Sequence, residues 1–538
     1  MKSKIPLTLK LALALGVAWA GATNATAQGM ISAPDSAGAV AAAEFGALKG
    51  ASTQQIVTIQ RLLRRLGYLK AETLTREMDE PTSSALIAHF EAVKASPRGM
   101  TAEEVVRSLF AQAWSKEGWA TGSVEGQSLV VDKTEVLAAQ QVLRKLGYEP
   151  GPEDGVFGPA TLASVESFQE DNGLRVRGLL TRNMQQNIMR ALKFADTKPV
   201  TTIHMLNWNG YINPDSLDKF EKETNIRVVH DVFDLSSETK ELLLNYTDKY
   251  DVIMQTGAQM RLVLGGTDVV ETLDHAKIPN SQYVDPAILK VANALDPGNT
   301  HTMPYMWGTV GLAVNNDMVK AIRPDIDVNS TSLILDPKIA ADLSKCGIAV
   351  VDEPQDVIPS FVTYLGGDME NISMPDLEGV DLALSKVGKY IKRVSVESWI
   401  KSFSEGKYCV VWGYPGGTYR ARDLAKQNGT GKITYNVPKE GTQMWMDFMV
   451  IPTRAPNKDA AYKLIDFMLR PDVAAANTNF LRFANAVTTS APFIDPVLLN
   501  DPGLYPPAAT LKKISAMAPI SVPVEELLYQ IWKKLPKE

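Results

Sequence analysis

The chain has 538 residues, 45% of them hydrophobic and 22% charged, a globular composition long enough for two to four domains. Its formal net charge is −6, with 55 Lys and Arg against 61 Asp and Glu and no long block of like charge. Such a surface lacks the basic patch that non-specific nucleic-acid or anionic-membrane binding needs, and it is compatible with cationic ligands.

At the start, Lys2, Lys4 and Lys10 precede an apolar stretch from Leu11 to Ala20, and Ala25-Thr26-Ala27 precedes Gln28. This small-x-small pattern predicts a secretory signal over residues 1–27, cut near Ala27/Gln28, and hence an exported, periplasmic protein; an uncleaved N-terminal anchor is the alternative. Removing the three lysines takes the formal net charge from −6 to −9. No cysteine stands at the cut to accept a lipid, and no later apolar run approaches the roughly 18 residues that span a bilayer. Residues 28–52, rich in Ala, Gly and Ser without periodicity, read as a flexible lead.

An internal repeat follows. Gln60-x-x-Leu63-x-x-Leu66-Gly67-Tyr68 recurs as Gln140-x-x-Leu143-x-x-Leu146-Gly147-Tyr148, each an amphipathic helix stopped by glycine. The second copy continues as Gly151, Asp154-Gly155-x-Phe157-Gly158-Pro159-x-Thr161, Val165, Phe168-Gln169 and Gly173-Leu174. Asp154-Gly155 supplies a turn, and Gly158-Pro159 opens the next helix. This pattern resembles the peptidoglycan-binding domain, a small all-α three-helix module found on cell-wall enzymes, over residues 134–192. The first copy, residues 53–112, keeps the opening helix and Phe90. It places Arg76-Glu77-Met78-Asp79 where the second has Asp154-Gly155-Val156-Phe157, so it reads as a degenerate module with its loop lost.

Beyond Asp196-Thr197-Lys198-Pro199 the texture changes. Short β-rich runs alternate with helical stretches at Thr202 to Leu206, Arg227 to Asp231, Tyr250 to Met254, Gly311 to Val314, Gly347 to Val351, Cys409 to Trp412 and Met446 to Ile451. Strands separated by helices imply parallel α/β sheets, and residues 200–538 suit two lobes. The only cysteines, Cys346 and Cys409, fall here; in an oxidising compartment they are expected to form a structural disulfide, whose long loop is worth roughly 4 kcal/mol on the chain-entropy model.

Eight ordered stretches then carry a second resemblance: Asn207-Trp208-x-x-Tyr211-Ile212, Tyr250-Asp251-Val252, Asp296-Pro297-Gly298-Asn299, Pro304-Tyr305-Met306-Trp307-Gly308-Thr309, Lys345-Cys346-Gly347, Pro438-Lys439-Glu440-Gly441, Trp445-Met446-Asp447 and Asn500-Asp501-Pro502-Gly503-x-Tyr505-Pro506. From Leu206 to Lys533 the chain resembles the periplasmic polyamine (spermidine/putrescine)-binding proteins of ABC importers, a type of extracellular solute-binding protein. The cysteines stand where putrescine receptors of that family carry a disulfide. The resemblance implies a two-lobed Venus-flytrap α/β fold, a polyamine buried between the lobes, a permease partner, a monomer, and neither cofactor nor metal. An alkyl polyammonium needs carboxylates at the spacing of its nitrogens and aromatic walls between them.

The matching positions are Trp208, Tyr211, Tyr414, Trp445 and Phe483 as walls, and Glu353, Asp356 and Asp447 as counter-charges. Glu353 and Asp356, three apart, face one way from a helix start. Asp447 interrupts the apolar run from Met444 to Ile451, where a lone carboxylate wants a cationic partner. Trp307, by contrast, reads as structural, at a strand end near a lobe junction. Putrescine-type receptors carry acids where this chain has Gly210 and Gly417, and hydroxyl-bearing side chains where it has Ala258 and Phe483, so the ligand's identity stays open. The N-terminal modules suggest two other readings, a wall-tethered sensor or scavenger of another small amine, and a cell-wall enzyme. Against the enzyme, the sequence has no H-E-x-x-H or G-x-S-x-G, and only five histidines, His89, His204, His230, His275 and His301, without metal-like spacing.

Overall fold

The computed structural model describes residues 48 and 51–538, apart from 71–73, 97–99, 117–122, 125–126, 131, 196, 234–243, 246, 258–259, 261–263, 265–267, 396–397 and 517–519. The expected signal, nearly all of the lead, and Ala258 lie outside the described residues. The chain divides into two units between Ile188 and Met189.

In the first unit the repeat is built on a buried glutamine. Helix α1 (Thr53–Arg65), opened by a Ser52/Gln55 capping box, is followed by α2 (Glu80–Ala92) and α3 (Ala102–Lys116); α4 (Lys133–Lys145), α5 (Pro159–Asp171) and α6 (Arg182–Lys193) repeat the pattern. From α4, the Gln140 amide donates to Val156 O at 3.0 Å and Thr161 Oγ1 at 3.1 Å, and accepts from Gly155 N at 2.9 Å. From α1, Gln60 donates to Glu77 O and Thr82 Oγ1, both at 2.9 Å, and accepts from Arg76 N at 3.3 Å. The first copy therefore keeps the loop that its sequence led us to regard as lost. Its register is one residue away from the expected one: Thr75 answers Asp154, and Arg76, at φ 64°, holds the left-handed turn that Gly155 holds at φ 72°. The same shift puts His89, not Phe90, in the place of Phe168. His89 meets Tyr68 edge-on at 5.4 Å as Phe168 meets Tyr148 at 5.9 Å.

The two copies share one core. Leu162 and Leu179 of the second belong to the cluster of Leu62, Leu63, Leu86, Val105 and Leu109 of the first, and Phe157 stacks on Trp114 at 6.3 Å. Arg61 pairs with Glu166 at 3.3 Å and Glu170 at 2.8 Å. Burial pushes the Glu166 carboxyl up to about 7 despite that guanidinium.

The second unit holds two sheets. In lobe one, β1 (Thr201–Trp208), β2 (Ile226–Phe233), β3 (Val252–Thr256), β4 (Met303–Thr309), β10 (Thr442–Val450) and β11 (Ala484–Asn485) lie in the order β11-β4-β10-β3-β1-β2, with β12 (Ile514–Ala516) beside β10. Lobe two is ordered β9-β5-β8-β6-β7, from β5 (Gly311–Asn315), β6 (Ile348–Val351), β7 (Ile391–Val394), β8 (Val410–Gly413) and β9 (Ile433–Asn436). β1 runs parallel to β2 and β3, and β6 parallel to β7 and β8, as strands linked through helices do. Each lobe has its own core, Ile203, Leu206, Phe233 and Phe448 in one, Leu312, Val350, Phe361 and Trp412 in the other.

The chain passes between the sheets at Val310 and again between β9 and β10. These crossings are bonded side by side: Val310 N donates to Gln443 O at 3.1 Å, and the Thr442 hydroxyl donates to Val310 O. After β12 the C-terminal helix returns to lobe two, where Leu528, Ile531 and Trp532 are buried. Trp307 lies inside β4 rather than at its end, and its indole donates to Asn485 O at 3.1 Å.

Cys346 and Cys409 form a disulfide with a Cα–Cα distance of 5.5 Å. It ties the residues entering β6 and β8, neighbouring parallel strands in which Ile348 faces Val410. Replacing both cysteines by serine should lower unfolding stability by about 2–4 kcal/mol without abolishing folding, given the core around the bond. Chemical denaturation of the variant against the oxidised protein reads that difference.

Candidate functional site

In open α/β sheets, ligands meet the loops that follow the carboxyl ends of parallel strands. Most of the residues singled out from the sequence lie there. Trp208 ends β1 and Tyr211 sits in the turn beyond it. Glu353 and Asp356 follow β6, Glu353 as the N-cap of α7 (Pro354–Tyr364) and Asp356 in its first turn. Tyr414 follows β8 as the N-cap of α8 (Pro415–Asn428). From β10 come Trp445 and Asp447, and Phe483 stands between α9 (Pro471–Leu481) and β11.

Tertiary packing brings four rings together. Trp445 meets Phe483 edge-on at 5.0 Å, Tyr414 edge-on at 6.3 Å and Tyr211 at 6.5 Å; Tyr211 and Phe483 are 5.8 Å apart. Trp445 packs against both lobe cores, and its indole donates to Thr309 O at 3.3 Å, at the end of the strand that leads into the crossing. Trp208 stands apart, its ring 4.4 Å from Phe233, with no ring contact to the other four among the described residues. The Trp208 indole N–H is buried without a hydrogen-bond partner, and the Tyr211 hydroxyl is buried against the Asp447 carboxyl.

Against these rings lie the acids. Asp356 accepts from the Tyr414 hydroxyl at 2.5 Å and from Gln443 Nε2 at 3.3 Å. Burial pushes its carboxyl up to about 6, with the Tyr414 bond opposing. Asp447 is 6% exposed; burial raises it to about 7, Tyr211 beside it pulls the other way, and the Asp356 charge adds to the rise. No Lys, Arg or His pairs with either carboxylate among the described residues. Tyr414 is pushed well above its ordinary value by burial and then by the Asp356, Glu353 and Asp447 charges, of which Asp356 bonds its hydroxyl.

A bulge aims Asp447. Register on β4 slips between Met446/Trp307 and Phe448/Pro304, so Tyr305 and Met306 oppose Asp447 alone. Tyr305, whose hydroxyl donates to Tyr211 O at 3.2 Å, is raised by burial and by the Asp447 charge. Sequence reasoning missed Tyr305, and it missed Gln443 as well. For Gln443 a signal existed, since Gln443, Trp445 and Asp447 alternate along one strand and so share a face. For Tyr305 none did.

Two α/β lobes joined by paired crossings, with buried acids and four rings gathered beside those crossings, define a protein of the two-lobed binding-protein architecture. Residues 215–505 match the family described as bacterial extracellular solute-binding protein, and the chain belongs to that family, whose members bind solutes rather than catalyse. Residues 132–186 match a family described as “Putative peptidoglycan binding domain”. A putrescine-binding periplasmic protein of Pseudomonas aeruginosa is 31% identical over 361 residues, covering 66% of this chain and 97% of that protein. One of Escherichia coli is 33% identical over 340 residues, covering 62% of this chain and 91% of that protein. Among solved structures, a spermidine/putrescine ABC transporter substrate-binding protein of Streptococcus pneumoniae shares the fold, with a TM-score of 0.53 at 24% identity over 62% of this chain and 98% of that one. Among the described residues no helix is long and apolar enough to cross a membrane.

Two glycines differ in what they allow. A Cβ at Gly417 would lie 2.4 Å from Cζ2 of the fully buried Trp399, so an acid has no room there without displacing the indole. At Gly210, φ 66°, a Cβ would meet nothing within 4 Å.

The raised carboxyls make stability depend on pH. Because Asp447 and Asp356 hold protons in the folded protein at pH values where the unfolded chain has released them, ligand-free stability should rise as pH falls from 8 through 7 and 6. Asp447 and Asp356 should contribute about 1–2 kcal/mol of that gain, the Asp447 share being lost in Asp447→Asn, while Glu166, also raised to about 7, keeps its share in both proteins. Thermal melts of both proteins across that range measure the slope.

Proposed function

We propose that this protein captures an aliphatic polyamine of the putrescine or spermidine kind between its lobes and delivers it, as a periplasmic monomer, to the permease of an ABC importer. The observation that carries this reading is the pair of buried carboxylates, Asp356 and Asp447, walled by Tyr211, Tyr414, Trp445 and Phe483 and without a cation of their own. Burying such charges is costly until an opposite charge arrives. An ammonium group supplies it, while the rings cover the methylenes and attract the cation through their faces. Relatives that bind putrescine support the same class of guest.

Asp447→Asn should weaken putrescine or spermidine binding by about 1–3 kcal/mol, the scale of one charge-assisted contact. Titration calorimetry at pH 8, where both carboxylates are ionised, is the direct measurement, and unchanged affinity for every amine tried removes Asp447 from the site.

The match over residues 132–186 favours a second role beside the first, in which the N-terminal repeats hold the receptor on peptidoglycan as a wall-tethered scavenger or sensor. Full-length protein should then sediment with insoluble peptidoglycan and a chain lacking residues 28–195 should stay in solution. Full-length protein left in the supernatant rejects the tether.

A further inference from the structure

We infer that Arg482 is a positioning residue that latches the two lobes around the guest, a role that rests on the interlobe binding proposed above. It belongs to lobe one, between the end of α9 and Phe483, but its guanidinium reaches lobe two. Arg482 Nη1 lies 2.5 Å from Asp423 Oδ2 and 3.2 Å from Tyr419 O, both on α8, the helix that Tyr414 caps.

Three further observations place a seam there. Gly416, two residues after Tyr414, faces lobe one so closely that a Cβ would lie 2.6 Å from the Phe483 ring and 2.8 Å from Leu481 O. Arg422 of α8 covers the Tyr419 ring at 4.7 Å and stands 4.0 Å from Asp501 of lobe one, so the seam alternates in charge, Arg482, Asp423, Arg422, Asp501. Finally, Arg482 sits at the left-handed C-cap of α9, φ 60° and ψ 41°, a position that favours glycine or asparagine. The left-handed backbone disfavours an arginine although its charge suits a helix C-terminus, and its guanidinium is turned onto α8.

Position links this latch to the guest. Phe483 packs on Trp445 and Tyr211, so the residue that walls the cleft and the residue that grips the opposite lobe are adjacent on one backbone. Closing α8 onto Leu481–Phe483 completes the ring box and forms the Arg482 bonds in the same movement. The latch therefore acts on escape of the guest, because it forms after encounter.

The variant Arg482→Gly separates this role from a structural one. It removes the guanidinium and relieves the left-handed backbone, so the melting temperature of the ligand-free full-length protein should stay or rise, whereas loss of a fold-supporting arginine would lower it. By stopped-flow tryptophan fluorescence with putrescine and with spermidine, dissociation should accelerate about two- to ten-fold, the range for a partly exposed ion pair with an added hydrogen bond, while association changes little. Asp423→Asn should do the same, and combining it with Arg482→Gly should add little to either change alone. Unchanged dissociation in Arg482→Gly overturns the latch, as does a lowered melting temperature of the ligand-free variant. If the unaltered protein binds neither amine, the ligand reading fails and takes the latch with it, whereas unchanged dissociation of an amine that does bind overturns the latch alone.

Discussion

Two carboxylates withdrawn from water without a cationic partner among the described residues are the constraint on which the rest of this molecule turns. Asp356 and Asp447 titrate near 6 and 7 because burial opposes their charge, and nothing among the described cationic side chains relieves it. A stable fold tolerates such a pair only where something else is arranged to meet it. Here the arrangement is four aromatic rings, the Tyr211 hydroxyl and two lobes joined by paired crossings.

The architecture explains how these groups meet. Strand ends bring Tyr211 from one sheet and Asp356 and Tyr414 from the other, while β10, which follows the second crossing, contributes Trp445 and Asp447. Trp445 is central to this geometry. It touches both cores, contacts three rings and bonds to Thr309 beside the crossing, and a Cβ at Gly308 would lie 2.6 Å from its Cζ2, so only glycine admits the indole there. The ring cluster and the first crossing are thereby joined through one side chain. In family terms this is a solute-binding protein, and its N-terminal unit adds a helical repeat whose two copies share a single core.

How far a local pattern reaches is visible in that repeat. Gln60 and Gln140 announce it plainly, since a buried amide needs the same partners in both copies. Yet residue types alone misplaced the loop of the first copy by one position and declared it lost. Arg76 takes the left-handed conformation of Gly155, and His89 takes the seat of Phe168. Neither substitution resembles its counterpart chemically. What is kept is backbone geometry and a set of hydrogen bonds, and these leave little trace in residue type.

By itself, the sequence determined the alternation of strands and helices, the division of the long C-terminal part into two lobes, the paired cysteines, and an unusual acid at Asp447 in an apolar run. Those follow from periodicity, composition and the cost of stranding a charge, all of which act along the chain. Only tertiary structure decided that Trp208 stands off from the other rings, that a bulge sets Tyr305 against Asp447, that Trp399 closes the space beside Gly417, and that Arg482 reaches across to α8. Each depends on the register or approach of segments far apart in sequence, and no local preference encodes the distance between two surfaces that meet only when the whole chain is packed.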